Sequence, residues 1–468
     1  TTYYARWGTS CSNSTCASIT VNVAGFPLAN AGPAISSCSG VTPVTMSGAS
    51  ATGSTSIWSG CAGLGTWIQH ANPALASFIP SVSGGSFIAT LTVTGTGSCP
   101  GATAVSTRII SWGTTGTWTG AVSTNWFTAG NWCGGVPTLS TSINIPPASQ
   151  LLFSPTIGAS NARCLNMTIS GNLSIANGYN LDVYGNWINN GGSLNASIGS
   201  VTLRGAAKTI SGTGNTTFPA IIINSGASYT MNNSNSCASL AFSQGNSSSL
   251  TLNAGNLTVN GNISISNSSS SGTNALNVNN GIVTVNGNIT IGSGTTIGSR
   301  VARVFVTTGT LTVSGNMIYN VGNVSCGVVD LSGGTASLNL AGNITLNPAG
   351  TLNPGTSSSV NFIGSLAGQS VTTGSGISYF NIYLNNSSSA GVTLSSNLGT
   401  SNVTGNITVQ SGIFSNGGFT ITGNVARQFT VSNAATFRLT GSTSIPAGFG
   451  TVNFGVSSTV DFRGTTSQ

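Results

Sequence analysis

A short unit, strand–Gly-Asn–strand, recurs along this chain and restricts what it can fold into. It reads LDVYGNWI from 181, LTVNGNIS from 257, VTVNGNIT from 283, LTVSGNMI from 311, LNLAGNIT from 338, NVTGNIT from 402 and ITGNV from 421. Gly261, Gly287, Gly315 and Gly342 follow one another at 26, 28 and 27 residues. Short alternating strands repeated at such a period predict a parallel β-solenoid. One coil cannot bury its apolar face alone, so coils stack and share a continuous core. Residues 151–468 are therefore read as a solenoid of about 12 coils and about 57 Å, at roughly 27 residues and about 4.8 Å per coil. Asn at the repeated corner is expected to accept left-handed φ/ψ and to stack its amide along the rod.

A longer repeat overlies this one. SVTLRG (200–205), SVNFIG (359–364) and TVDFRG (459–464) correspond, and Phe218 with IIIN (221–224) matches Phe380 with YLNN (383–386). The third copy stops four residues after its Gly, at Gln468. The chain is thus expected to be an excerpt of something longer, beginning downstream of its export signal.

Upstream the texture differs. Residues 1–24 read as the end of a preceding β module, and 25–112 as six or seven short strands of a β-sandwich with Trp58, Trp67 and Phe78 in its core. Residues 113–150 hold Trp118, Trp126 and Trp132 and read as a Trp-rich cap or linker before the solenoid. The fold class is all-β throughout.

Charge limits the functions open to such a chain. Only 3% of residues are charged: ten Lys or Arg, three Asp and no Glu, with a single His. The cations are scattered and form no basic stripe, which argues against nucleic acid. No apolar run approaches the roughly 20 residues of a membrane-spanning helix. Nine Cys without a CxxC pair point away from zinc and towards disulfides in an oxidising, extracellular setting. The candidates are Cys11, Cys16, Cys38, Cys99, Cys133 and Cys164, with Cys38–Cys99 tying the sandwich edges and Cys133–Cys164 stapling the first coil; Cys237–Cys326 is a weaker pairing. Polysaccharide lyases and hydrolases often use β-helices, but they need paired acids. Asp182, Asp330 and Asp461 are the only carboxylates and each falls in a different repeat. The residues predict no catalytic site, cofactor or metal.

Two binding readings compete with a purely structural one. Trp118, Trp126 and Trp132 could stack sugars instead of capping a core, and outward Thr rows could bind crystalline polysaccharide or ice instead of being an ordinary polar strand face. Asn-x-Ser/Thr sequons are frequent, among them Asn166, Asn172, Asn262, Asn288, Asn343 and Asn406. They read as corner residues more than as glycan attachment points. Faces this poor in charge also favour self-association.

Three segments resemble the giant repeat surface adhesins of Bacteroidota that are exported by the type IX secretion system. TYYARWGTSCSNSTCASITV (3–22) resembles the closing strands of their Ig-like repeats. Residues 31–112, with Cys38, WSG at 58–60, GTW at 65–67, ANPALASFIPS and the Cys99…STRIISW ending, resemble their PKD-like module. TWTGAVSTNWFTAGNWCGGVPTLSTSINI (117–145), followed by CLNMTI at 164–169, resembles the segment that opens their solenoid arrays. The resemblance implies an Ig/PKD-like sandwich, cell-surface display, and adhesion or gliding. It also implies contact with surface polysaccharide or other cells, and a secretion translocon and outer-membrane anchor engaged through other regions. The expected function is a non-catalytic stalk.

Overall fold

Short alternating runs punctuated by Gly, Asn and Ser make this chain almost entirely strand. The structure is a computed structural model and describes residues 2–8, 12–20, 25–53, 55–61, 63–95, 100–196, 198–266, 272–294, 300–441 and 443–464. Helix is confined to single turns such as Pro73–Leu75 and Val324–Cys326. Two units form: Thr1–Val136 with Asn144–Pro155, and Pro137–Ile143 with Thr156–Gln468.

In the first unit a four-stranded sheet runs in the order Ile35–Ser37, Thr103–Trp112, Gly85–Thr94, Thr55–Ser59, and a three-stranded one in the order Val44–Thr45, Ser77–Pro80, Gly65–Ile68. Strict alternation along Gly85–Thr94 turns Phe87, Ala89, Leu91 and Val93 into the core. Trp58, Phe78 and Trp112 are buried there and Trp67 packs against them, as the sequence predicts for Trp58, Trp67 and Phe78. Phe78 meets Phe87 edge-on at 4.8 Å, and Trp58 stacks on Trp67 at 5.6 Å. Burying such side chains contributes about 1.5–3 kcal/mol each. The indole N–H groups are satisfied by backbone: Trp58 donates to the Pro73 carbonyl and Trp112 to that of Val82. Arg108 is only 4% exposed; it donates to the carbonyls of Ser47 and Pro33, and burial lowers its pKa.

The disulfide expectation needs correcting. Cys38 bonds Cys133, with Cα atoms 5.2 Å apart across 95 residues of sequence. Neither Cys38–Cys99 nor Cys133–Cys164 therefore forms. Cys164 and Cys237 are thiols facing the solenoid core, where they behave as small apolar side chains. Burial raises both pKa values, that of Cys237 to about 12. Cys16 is exposed; Cys11 and Cys99 lie outside the described residues.

The second unit is a parallel β-solenoid of about 13 turns. Three parallel sheets line it. One comprises Thr156–Ile157, Asn172–Ile175 and Ser193–Ala196; another continues to Thr351–Asn353; the longest has 22 strands, from Ala162–Cys164 to Thr459–Arg463. Inward positions stack like on like: Leu257, Val283, Leu311, Leu338, Val360 and Ile382 form one row, all at most 1% exposed. Buried tyrosines direct their hydroxyls to main-chain carbonyls; Tyr379 donates to Thr372 at 2.7 Å and Tyr319 to Thr351 at 3.0 Å.

Coil length departs from the expected 27. Ala162 pairs with Leu181, 19 residues on, whereas Val283 pairs with Leu311, 28 residues on. The strand Asn235–Phe242 shows the cause. Its two halves carry the separate strands Asn256–Val259 and Ile263–Ile265, which a Gly-Asn corner divides. Coils with that corner hold an extra strand, and a period read from Gly-Asn alone samples the longest coils.

The corner also shows what the motif is for. Asn262 accepts the Asn288 N–H on its Oδ1 at 2.8 Å, Asn288 accepts that of Asn316 at 2.7 Å, Asn316 that of Asn343 at 2.8 Å, and Asn343 that of Ser370 at 2.7 Å. An N–H turned out of the sheet at a bend would otherwise have no acceptor. The preceding Gly makes room: a Cβ at Gly287 would lie 2.3 Å from Asn262 Oδ1, and one at Gly315 2.4 Å from Asn288 Oδ1. Left-handed backbone plays no part. Among the described residues the non-glycine positive φ values belong to Ala207 and Ala434, so the expected left-handed Asn is not found.

Two outcomes follow for stability. Asn288→Ala strands the Asn316 N–H and Gly315→Ala overlaps Asn288 Oδ1, and each should cost about 1–3 kcal/mol in urea unfolding, with surface controls such as Thr284→Ser near zero. Removing the Cys38–Cys133 bond by Cys133→Ala should destabilise the first unit by about 2–4 kcal/mol, read as a lower denaturation midpoint under oxidising conditions only.

Candidate functional site

An enzyme of this fold class would need a free acid, so the three carboxylates come first. All three are ion-paired to an Arg of an adjacent coil. Arg204 Nε lies 3.0 Å from Asp182, Arg303 Nη2 2.5 Å from Asp330, and Arg438 Nε 2.9 Å from Asp461, which also meets Arg463. Parallel in-register stacking makes these pairs: Arg303 and Asp330 come from the neighbouring strands Arg300–Val306 and Gly327–Asp330, and Arg438 sits opposite Asp461. The Arg303 guanidinium also covers the Phe305 ring at 4.2 Å.

Asp330 accepts further hydrogen bonds from the Ser332 N–H, the Ser332 hydroxyl and Asn353. Burial pushes its carboxyl up, but the bonds from Ser332 and Arg303 and the Arg303 charge outweigh this and hold it below the usual carboxylate range. Arg463 and Arg438 do the same for Asp461. Asp182 and Asp330 are six coils apart along the rows, about 29 Å at about 4.8 Å per coil. Acid pairs in glycosidases stand about 5–9.5 Å apart. His70 spends its Nδ1 accepting the Asn72 N–H in a turn.

The Trp cluster offers no platform. Trp118 and Trp126 are fully buried and Trp132 is 4% exposed. Trp132 contacts Trp118 edge-on at 4.9 Å and Trp126 at 4.7 Å, and its Nε1 donates to the Trp126 carbonyl. Trp118 donates to the Phe153 carbonyl. Beneath them, buried Asn131 accepts from the N–H groups of Val122 and Ser123 and donates to Asn125 and the Ser123 hydroxyl, fixing the loop. Rings sealed edge to face cannot stack a sugar. These residues are the core of a local structure, and the disulfide at Cys133 ties it to Cys38 in the same unit.

The sequon asparagines are likewise occupied. Asn166, Asn262, Asn288, Asn343 and Asn406 accept from the next coil's backbone, and Asn172 accepts from Ser193. On the solenoid surface the largest depression, about 540 Å³, is lined by Thr351, Asn353, Ser375, Ile377 and Asn402 among others and by no acid, His or Cys. Among the described residues no three His, Cys, Asp or Glu gather to hold a metal, and no helix is long and apolar enough to cross a membrane. The Arg–Asp pairs escape a reading by short motifs. Their signal is opposite charges one coil apart, at 22, 27 and 23 residues.

Residues 117–219 match a family described as a domain of unknown function (DUF8693). No curated protein and no solved structure matches the chain.

Because the Asp330 pKa is depressed in the folded state, its pairing stabilises the solenoid above the unfolded value of about 3.9 and is lost as pH falls through the lower folded value. Thermal denaturation should therefore be nearly flat from about pH 5 to 8 and fall only at lower pH, and Asp330→Asn should blunt that acid limb.

Proposed function

We propose that this chain is a non-catalytic stalk segment of a large cell-surface adhesin or extracellular filament. The observation that carries the reading is the state of its acids: every carboxylate is spent on an Arg of the adjacent coil, which leaves the solenoid a scaffold without chemistry. A 22-strand sheet in parallel register, an Asn ladder at the corners and a stacked apolar core supply stiffness. Few charges make such a rod indifferent to salt and pH. In this reading the first unit is an Ig/PKD-like module, as the resemblance of residues 31–112 implies, and export follows the type IX route of the adhesins that the three segments resemble. Attachment to polysaccharide or to other cells then belongs to regions beyond this segment. The burial of Trp118, Trp126 and Trp132 weighs against the carbohydrate-binding alternative through the Trp cluster and leaves it only the Thr rows.

Immunogold labelling of intact cells with antibodies to the full chain should decorate fibres on the outer surface. Label confined to the cytoplasm, or release of reducing ends when the purified chain meets polysaccharide, would sink the reading.

A further inference from the structure

One face of the solenoid is set apart by what it lacks. No Asp, Glu, Lys, Arg or His occurs between Lys208 and Arg300, nor between Asp330 and Arg427. The charged residues in the interval belong to strands Arg300–Val306 and Gly327–Asp330 of the other long sheet. The 22-strand sheet is therefore free of charge on every strand from Asn235–Phe242 to Ile407–Ser415. Along it runs an unbroken outward row in register: Thr217, Ser236, Thr258, Thr284, Thr312, Asn339, Asn361, Tyr383, Thr408, Thr430 and Asn453. A second row lies two residues away on six of these coils: Asn256, Ile282, Thr310, Ser337, Ser359 and Asn381.

We infer that this face is a lateral interface between two copies of the chain. Three physical points select a second copy as the occupant. Hydroxyls and amides both donate and accept, so the rows are self-complementary in either direction. A second solenoid presents the same spacing of about 4.8 Å and stays in step along the whole row, about 48 Å. Charges that would repel an identical surface, the usual protection of an exposed sheet, are absent here and present elsewhere. The comparable row on the other sheet, Thr209, Thr230, Thr251 and Asn277, is interrupted by Phe305 and Asp330 and flanked by Arg303. A strip about 13 Å wide along the row covers about 600 Å² on each copy, near the lower bound of about 1,200 Å² in total for a specific interface. The association is accordingly weak and concentration-dependent, and it stands whether or not the stalk reading does.

Sedimentation velocity on the full chain over a range of concentrations tests this. A reversible monomer–dimer shift is expected, not weakened between about 0.01 M and about 1 M salt. Thr284→Lys with Thr312→Lys and Asn361→Lys should weaken it at least tenfold, with circular dichroism and melting close to wild type. The control triple Thr230→Lys, Thr251→Lys and Asn277→Lys should leave it intact. A chain that stays monomeric at every concentration overturns the inference, as does equal loss in both triples. If the monomer instead co-sediments with cellulose and the first triple releases it, the face is a neutral-glycan surface and the dimer is wrong.

Discussion

The hydrogen bond from a corner N–H to the Asn side chain of the coil below is the interaction on which the solenoid depends. A parallel coil must turn several times per circuit, and each turn removes backbone groups from the ladder. Asn solves this with a short side chain whose carbonyl reaches one coil spacing, and its backbone keeps an ordinary conformation. The glycine before it is needed because the oxygen of the coil below fills the space where a Cβ would stand. Gly-Asn is thus one device made of two residues on two successive coils. That is why the pair repeats while the flanking residues vary among Val, Leu, Ile, Thr and Ser.

The same vertical logic governs charge. Identical positions on successive coils sit about 4.8 Å apart, so a like charge repeated at one position would repel along the whole rod. The chain avoids this by carrying almost no charge, and where it carries an acid it places an Arg on a neighbouring coil. Thr, Asn and Ser fill the remaining outward positions and link laterally; Asn339 donates to Thr312, and Asn361 to Asn339. These links contribute on the order of 1 kcal/mol or less each. The stacked apolar rows inside, with side chains such as Leu311 and Val360 fully buried, supply the larger share.

The all-β class, the parallel solenoid and the core role of Trp58, Trp67 and Phe78 were legible because alternation and repetition are local signals. Coil length was not, because the earlier coils lack the Gly-Asn corner and leave no punctuation to count. The disulfide was misread for a related reason. Cys38 and Cys133 are 95 residues apart, and nearer cysteines looked equally suitable until the chain between them had folded. Trp118, Trp126 and Trp132 carry the composition of a binding platform, and only their mutual edge-to-face packing shows that no ring face is open.

The sequence by itself determined that the chain builds stacked β-coils around a Val, Leu and Ile core, since period and alternation suffice for that. It also determined that acids are too few and too dispersed for paired-acid chemistry. Tertiary structure decided which residues meet across a coil: Asn288 under Asn316, Arg303 beside Asp330, Cys38 with Cys133. Those contacts join residues tens of positions apart, and their register depends on how many residues each intervening coil holds, a number set by packing and not by any short motif.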